Sequence, residues 1–279
     1  MSQAGGVPLL EAVDVGKIYR SRHLLGRPVE ARALEGVSIA VRPGDRLAIV
    51  GESGSGKSTL ARLFVALEQP TSGQVRFEGV PVNARDRRGL VDLRRAVQIV
   101  FQDPAGSLDP RMRTGESIAE PLRALRVTGD HGARVNELLA AVGLPASTAK
   151  RYPHELSGGQ RQRVAIARAL APHPRLLVAD EAVSALDVSV RAQVLNVIDD
   201  LVERYGLTLV FISHDLAVVR HVCTRVAVLY RGRLVEDAPA QQLYESPSHP
   251  YTRALLQAVP RLGRPFAYQP AATAGQKAW

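Results

Sequence analysis

Gly51-Glu52-Ser53-Gly54-Ser55-Gly56-Lys57-Ser58-Thr59 has the spacing G-x-x-x-x-G-K-[S/T], which makes a phosphate-binding loop when a strand precedes it and a helix follows. Both flanks fit. Leu47-Ala48-Ile49-Val50 is a short apolar run of strand type, and Leu60, Leu63, Phe64 and Leu67 recur at the i, i+3, i+4, i+7 spacing of one helix face. Gly51, Gly54 and Gly56 accept positive φ and leave backbone N–H groups bare for a phosphate chain, with Ser53, Ser55 and Thr59 completing the cradle. The following helix turns the positive end of its dipole toward the same anion. Lys57 then reaches the β- and γ-phosphates, and Ser58 offers its hydroxyl to Mg²⁺. The competing reading, a glycine-rich turn with a surface lysine, explains neither flank.

The rest of the composition bounds what surrounds this loop. A chain of 279 residues suits one large α/β domain, or one such domain with an inserted subdomain. Its 36 Lys+Arg against 27 Asp+Glu give a formal charge of +9. That balance suits nucleic acid, an anionic lipid surface or nucleotide phosphates, and does not choose among them. The single cysteine, Cys223, excludes an intramolecular disulfide framework and a Cys-based zinc site, and points to a reducing compartment. It reads as a small packed residue. No apolar run approaches the roughly 18 residues that cross a bilayer, and the N-terminus lacks a basic-then-apolar signal segment. The expectation is a soluble chain that meets a membrane through partners.

In chain order, a first strand is expected from about Leu10 through Val13-Asp14-Val15 toward Arg20. An exposed basic loop is expected over 21–32, then an antiparallel strand from Leu34 to Val41 and a turn at Pro43-Gly44-Asp45. Gln74 to Phe77 alternates as a short strand, Arg85 to Arg95 is strongly basic, and Val97 to Phe101 is an apolar strand. Residues 110–155 change to helical composition punctuated by glycine, the mark of an inserted helical subdomain. Ser157, with Gln160 three residues on, is a capping-box pattern opening a helix whose face continues through Val164, Ala167 and Leu170. Leu176-Leu177-Val178-Ala179 reads as a buried parallel strand ending in Asp180-Glu181. A helix over roughly 190–204, a strand from Thr208 to Ile212 before His214, and a strand from Arg225 to Tyr230 follow. A Pro-rich extension closes the chain.

The loop is joined in sequence by Gln102, by Leu156-Ser157-Gly158-Gly159-Gln160, by Asp180-Glu181, by Ser184-Ala185-Leu186-Asp187 and by His214. In this order and spacing the chain resembles the nucleotide-binding subunit of an ABC transporter over residues 10–235. The resemblance implies an α/β fold: a P-loop NTPase core, an N-terminal antiparallel β subdomain and a helical signature subdomain inserted at about 106–170. It divides the chain into a nucleotide-binding domain, 1–237, and a C-terminal extension, 238–279. It implies ATP and Mg²⁺ as ligands, with Ser58, Gln102 and Asp180 at the metal. Glu181 polarises the attacking water, and Gln102 and His214 sense the γ-phosphate. Tyr19 is the implied adenine-stacking aromatic. Ser157, Gly158, Gly159, Gln160 and Asp187 contact ATP held by a different subunit.

Physical chemistry supports these roles, because phosphoryl transfer needs charge neutralisation, alignment and an oriented water more than covalent chemistry. Each feature alone has a plainer reading: a solvated strand end for the acidic pair, an N-capped helix for Ser157, a packed tyrosine for Tyr19.

Gln102-Asp103-Pro104, Ser107-Leu108-Asp109-Pro110-Arg111 and Ser246-Pro247-Ser248-His249-Pro250-Tyr251-Thr252 further resemble the ATPases of oligopeptide, dipeptide and nickel importers. Ala182-Val183 departs from the Pro-Thr usual in the peptide type and is similar to the nickel type. The cysteine cluster that some relatives carry in the extension is absent. The implied assembly is a second homologous ATPase subunit, as a heterodimer or a homodimer, two membrane-spanning permeases and an extracytoplasmic binding protein at the cell membrane. No nucleic acid is expected. The alternatives are a nickel or metal-chelate importer ATPase, and a soluble ABC-type ATPase acting on nucleic acid or ribosomes.

Overall fold

A computed structural model of the chain describes residues 6–21 and 29–258. The chain opens with β1 (Leu10–Ser21), β2 (Val29–Val41) and β3 (Arg46–Val50), and the glycine-rich loop then leads into α1 (Lys57–Phe64). Next come β4 (Ser72–Phe77), β5 (Val80–Pro81), α2 (Arg87–Ala96) and β6 (Val97–Val100). The helices α3 (Pro104–Ser107), α4 (Thr114–Ala124), α5 (His131–Ala141) and α6 (Gly158–Leu170) follow. Strands and helices then alternate through β7 (Leu176–Asp180), α7 (Val188–Tyr205), β8 (Thr208–Ser213), α8 (Leu216–Val222) and β9 (Arg225–Tyr230). The described chain closes with β10 (Arg233–Pro239), α9 (Ala240–Glu245) and α10 (Pro250–Gln257).

Two sheets form. The first is antiparallel, in the order β2-β1-β4-β5; the second is β10-β9-β3-β8-β7-β6, parallel except for the β9–β10 hairpin. Because side chains alternate along a strand, the parallel sheet buries both faces. Leu47, Ile49, Leu176, Val178, Val210 and Ile212 join α1 and the antiparallel sheet in one core. Ala48, Val50, Leu177, Ala179, Leu209 and Phe211 face the helices in the other. This is the α/β arrangement expected from the sequence.

The helical segment is tied to the parallel sheet through α6. Arg134 on α5, almost fully buried, donates to Leu170 O at 2.8 Å and pairs with Glu137 at 2.7 Å. A cation at the open carbonyls of a helix C-terminus is favourable both as a donor and against the dipole. Arg168 on α6 reaches back to Ser107 O at 2.7 Å and Glu120 at 2.6 Å, fastening α3 and α4 to the same helix.

Two expectations are corrected, and one basic stretch that had no assigned element acquires one. Strand β2 begins at Val29, inside the stretch read as loop; its first residues pair with β1, and Arg20 meets Glu30 at 2.9 Å. The remainder of that stretch, 22–28, lies outside the described residues. Arg85–Arg95 is largely the helix α2, with the Asp86 carboxylate accepting from Arg88 N and Gly89 N. Leu67 lies past the end of α1 and is exposed, unlike Leu60, Leu63 and Phe64, so the buried face stops one turn earlier than the periodicity indicates. Cys223 is buried as expected, and burial pushes its thiol up to about 12.

Candidate active site

Register sets the site. Val50 pairs with Ser213, Ile212 with Asp180, and Ala179 with Val100, so β3, β8, β7 and β6 end along one carboxyl edge. The next residues on these strands are Gly51, His214, Glu181 and, two beyond β6, Gln102. Ligands of open parallel sheets bind along this edge, where loops are free to vary and helix N-termini point inward.

The loop from Gly51 to Gly56 has the geometry its glycines permit. Gly51 lies at φ 152° and Gly56 at φ 104°. A Cβ on Gly51 would overlap Leu229 O, and one on Gly56 would press on Ala33 O and the Leu34 side chain, so both space and torsion demand glycine. Gly56 is the N-cap of α1 and supplies no side-chain cap, which leaves the first N–H groups of the helix for an outside acceptor. The buried Ser55 hydroxyl has no hydrogen-bond partner. Lys57 Nζ donates to Gly51 O and Glu52 O, each at 2.8 Å. Burial pulls the Lys57 ammonium below its ordinary pKa, against the nearby carboxylates of Glu181, Asp180 and Glu52.

The acidic pair closes the other side of the loop. Asp180 is buried at the end of β7, and Ser58 Oγ donates to its Oδ1 at 3.1 Å. Burial raises the Asp180 pKa, the Ser58 bond opposes that, and the Glu181 charge adds to it. Glu181 sits at φ 48°, a left-handed backbone that a residue with a Cβ rarely adopts. It is held there from both ends: Glu181 N donates to Ile212 O at 3.0 Å, and Ser184 donates to Glu181 O from its backbone N–H and its hydroxyl, each at 3.0 Å. Its carboxylate lies 3.5 Å from His214 Nδ1. Lys57, Ser58, Asp180, Glu181 and His214 are thus gathered in one place.

A second cluster lies apart. Ser157 caps α6 by accepting from Gln160 N at 3.3 Å, while Gln160 Oε1 accepts from Ser157 N at 3.0 Å. Asp187 caps α7 and accepts from Val190 N at 2.9 Å, and that bond is the main reason its pKa is lowered. The two caps abut, because a Cβ on Gly159 would overlap Val190 Cγ1 and one on Gly158 would touch the Leu186 side chain. Among the described residues, no hydrogen bond or ion pair joins 157–160 to 51–59.

A family profile described as ABC transporter matches residues 34–184, more than half of the chain. The chain belongs to the ABC transporter family. A second profile, described as oligopeptide/dipeptide transporter, C-terminal region, matches residues 235–277. The oligopeptide transport ATP-binding protein AppF of Bacillus subtilis is 47% identical over 265 residues, covering 93% of this chain and 80% of its own length. The di/tripeptide transport ATP-binding protein DppF of Pseudomonas aeruginosa is 49% identical over 257 residues, 91% of this chain and 80% of that protein. Among solved structures, the dimeric ATP-binding cassette MJ0796, in a post-hydrolysis state bound to ADP and Pi, matches with a TM-score of 0.73. It is 30% identical and covers 83% of this chain and 98% of its own.

As an ABC transporter ATPase, the chain is an ATP-binding and ATP-hydrolysing transport subunit. Among the described residues no helix is long and apolar enough to cross a membrane. Gln102 is exposed beyond β6, at the same edge as the acidic pair. Tyr19 is 37% exposed, its hydroxyl donates to Glu68 at 2.7 Å and lies 3.4 Å from Thr59 Oγ1, and Lys17 Nζ stands over its ring at 5.2 Å from the centroid, so the ring lies beside α1 with one face taken by the lysine. Sequence reasoning gave Ser184 no role of its own, although it fixes the Glu181 backbone. It likewise missed Arg191, which bridges Leu186 O at 3.2 Å and Asp215 at 3.3 Å and so connects the Asp187 turn to the helix after His214.

Proposed function

We propose that this chain is the ATPase of a peptide importer, working as one of two nucleotide-binding subunits beneath a pair of permeases at the cytoplasmic face of the cell membrane. The observation that carries the enzymatic part is the convergence of Lys57, Ser58, Asp180, Glu181 and His214 on one strand edge beside a loop with open N–H groups. The peptide part rests on the C-terminal match and on the names of the relatives. In this reading 1–237 is the nucleotide-binding domain, with a helical insert at about 106–170, and 238–279 is an extension particular to such importers.

Each residue then has a task. The N–H groups from Ser53 to Thr59 bind the phosphate chain, and Lys57, an ammonium with three donors, keeps its bond to Gly51 O and turns the others toward the β- and γ-phosphates. The buried Ser55 hydroxyl is an orphan that a phosphate oxygen would satisfy. Tyr19 offers the adenine the ring face turned away from Lys17. Glu181, held by Ser184 and Ile212, accepts a proton from the attacking water, and His214 orients Glu181 and the γ-phosphate. Ser157, Gly158, Gly159, Gln160 and Asp187 serve the ATP held by the partner subunit, a second and similar ATPase.

Mg²⁺ fits the donor set. Ser58 and Asp180 present two hard oxygens 3.1 Å apart, and among the described residues no group of three or more His, Cys, Asp or Glu forms a protein cage. That is the environment of an ion that shares its shell with phosphates and water. When bound, Mg²⁺ supplies charge neutralisation at the phosphates, with Ser58, Asp180 and Gln102 around it.

A nickel or metal-chelate cargo is the second reading, favoured by Ala182-Val183 after the acidic pair. Uptake by vesicles containing the chain, its partner ATPase, the permeases and the binding protein tests the proposal. Peptide uptake that consumes ATP and stops with Glu181→Gln is the expected result. Peptide-independent uptake of nickel would replace it with the second reading.

A further inference from the structure

Ser246–Thr252 stood out in the sequence, yet ATP chemistry as described makes no use of it. In the fold this segment begins α10. Pro250 occupies its first turn, and the His249 side chain accepts from Tyr251 N at 3.2 Å. Glu236 on β10 accepts from Ser248 N at 2.8 Å and His249 N at 3.0 Å, which pins the start of the helix to the β9–β10 hairpin. The anchored helix places the Tyr251 ring against Tyr230, with centroids 4.1 Å apart, at the end of β9. The same hairpin already leans on the phosphate loop, because Gly232 N donates to Ser55 O at 3.0 Å.

From this position the Tyr251 hydroxyl accepts a hydrogen bond from Glu52 N at 3.0 Å, across 199 residues of sequence. That N–H belongs to the same peptide unit as the Gly51 carbonyl, which accepts from Lys57 Nζ at 2.8 Å. The unit is planar, so its two polar ends cannot turn independently. Tyr251 holds one end and Lys57 the other. We propose that Tyr251 is a positioning residue of the phosphate loop, through which α10 sets the orientation of the Gly51–Glu52 peptide and so the placement of Lys57 against nucleotide phosphates. The proposal rests on the ATP-site reading given above. Glu52 is exposed, so losing Tyr251 strands no donor; water takes the N–H, and what is lost is orientation. Coupling runs both ways: a nucleotide that fixes Lys57 also fixes the peptide that α10 grips.

The test compares wild type, Tyr251→Phe, Tyr205→Phe and Lys57→Ala as full chains. Tyr251→Phe keeps the ring on Tyr230 and removes only the hydroxyl. Tyr205→Phe removes a comparable tyrosine hydrogen bond, to Glu137 at 3.0 Å, far from the loop. Calorimetric titration with Mg²⁺-ADP is expected to show affinity about two- to tenfold weaker for Tyr251→Phe, the span of one net hydrogen bond, and unchanged for Tyr205→Phe. Amide exchange in 250–257 is expected to slow on adding Mg²⁺-ADP to wild type and to lose that response in Tyr251→Phe.

Wild-type affinity in Tyr251→Phe with an intact exchange response overturns the proposal. Equal weakening by both phenylalanine variants also overturns it, since the effect would then be general loosening. If Lys57→Ala binds Mg²⁺-ADP like wild type, the ATP-site reading falls and this proposal falls with it. Weakening by Lys57→Ala alone removes only the role of Tyr251.

Discussion

The phosphate-loop edge and the α6 cap are both helix N-termini preceded by glycine or serine, and they solve the same problem in opposite ways. At α6, Ser157 and Gln160 satisfy each other's backbone groups, and Gly159 packs against Val190 without room for a methyl group. At α1, Gly56 offers no side-chain cap, Ser55 Oγ is buried and unpartnered, and Lys57 rests on the carbonyls of its own loop. One end is finished as a surface. The other is built to be completed by a ligand: it holds a buried carboxylate and a buried ammonium whose desolvation their protein neighbours offset only in part. The difference teaches how the roles divide: an uncapped, polar receptor at one end and a capped, close-packed face at the other. Under the proposed assembly, each subunit offers its receptor to one nucleotide and its face to another.

The largest effect that would sharpen this contrast lies at Glu181. Glu181→Gln preserves shape and removes the base; hydrolysis is expected to fall by about 10²–10⁴-fold with Mg²⁺-ADP affinity close to wild type. Near-normal turnover would remove Glu181 from the chemistry. Next is Lys57→Ala, where losing a charged hydrogen bond to phosphate is expected to weaken Mg²⁺-ADP binding by roughly 10- to 150-fold in a titration.

On the finished side, Gly159→Val forces atoms into the Val190 side chain. Chemical denaturation is expected to show a loss of about 1–3 kcal/mol, with nucleotide affinity of the isolated chain unchanged. A matching loss of affinity would break the division between the two ends.

The smallest effect concerns Asp180. Burial raises its folded pKa above that of an ordinary aspartate, so the nucleotide-free protein binds the proton more tightly than the unfolded chain does. Its contribution therefore falls as pH rises from the unfolded value through the raised folded one, and stays low above it. Asp180→Asn is expected to melt higher than wild type at neutral pH without nucleotide, while losing hydrolysis. A lower melting temperature would mean that the carboxylate is structural.

Much of this was legible in the sequence because it is local. The glycines of 51–56, the capping box at 157–160 and the apolar run into Asp180-Glu181 each carry their geometry within a few residues. The start of β2 was hidden because Val29–Arg32 lies on an edge strand, where Glu30 and Arg32 face solvent and leave no apolar alternation to read. α2 was hidden for a related reason: only Leu93 and Ala96 of its ten residues are buried, and its clearest signal was the Asp86 cap. The contact of Tyr251 with Glu52 could not be read at all, since neither segment alone implies the other. Ser184 was missed for a different reason: it lies only three residues from Glu181, but its partner is a backbone carbonyl that every residue carries, so nothing in the residue pattern marks the bond.

The central claim is that the receptor and the face of one chain serve different nucleotides. Photo-crosslinking with an ATP analogue reactive at its γ-phosphate, in the assembled complex, tests it most directly. The account predicts that label held by this chain's Lys57 loop attaches to the partner subunit's signature segment, and that 157–159 of this chain is labelled from the partner's loop. Label passing only from this chain's loop to its own 157–159 would contradict it.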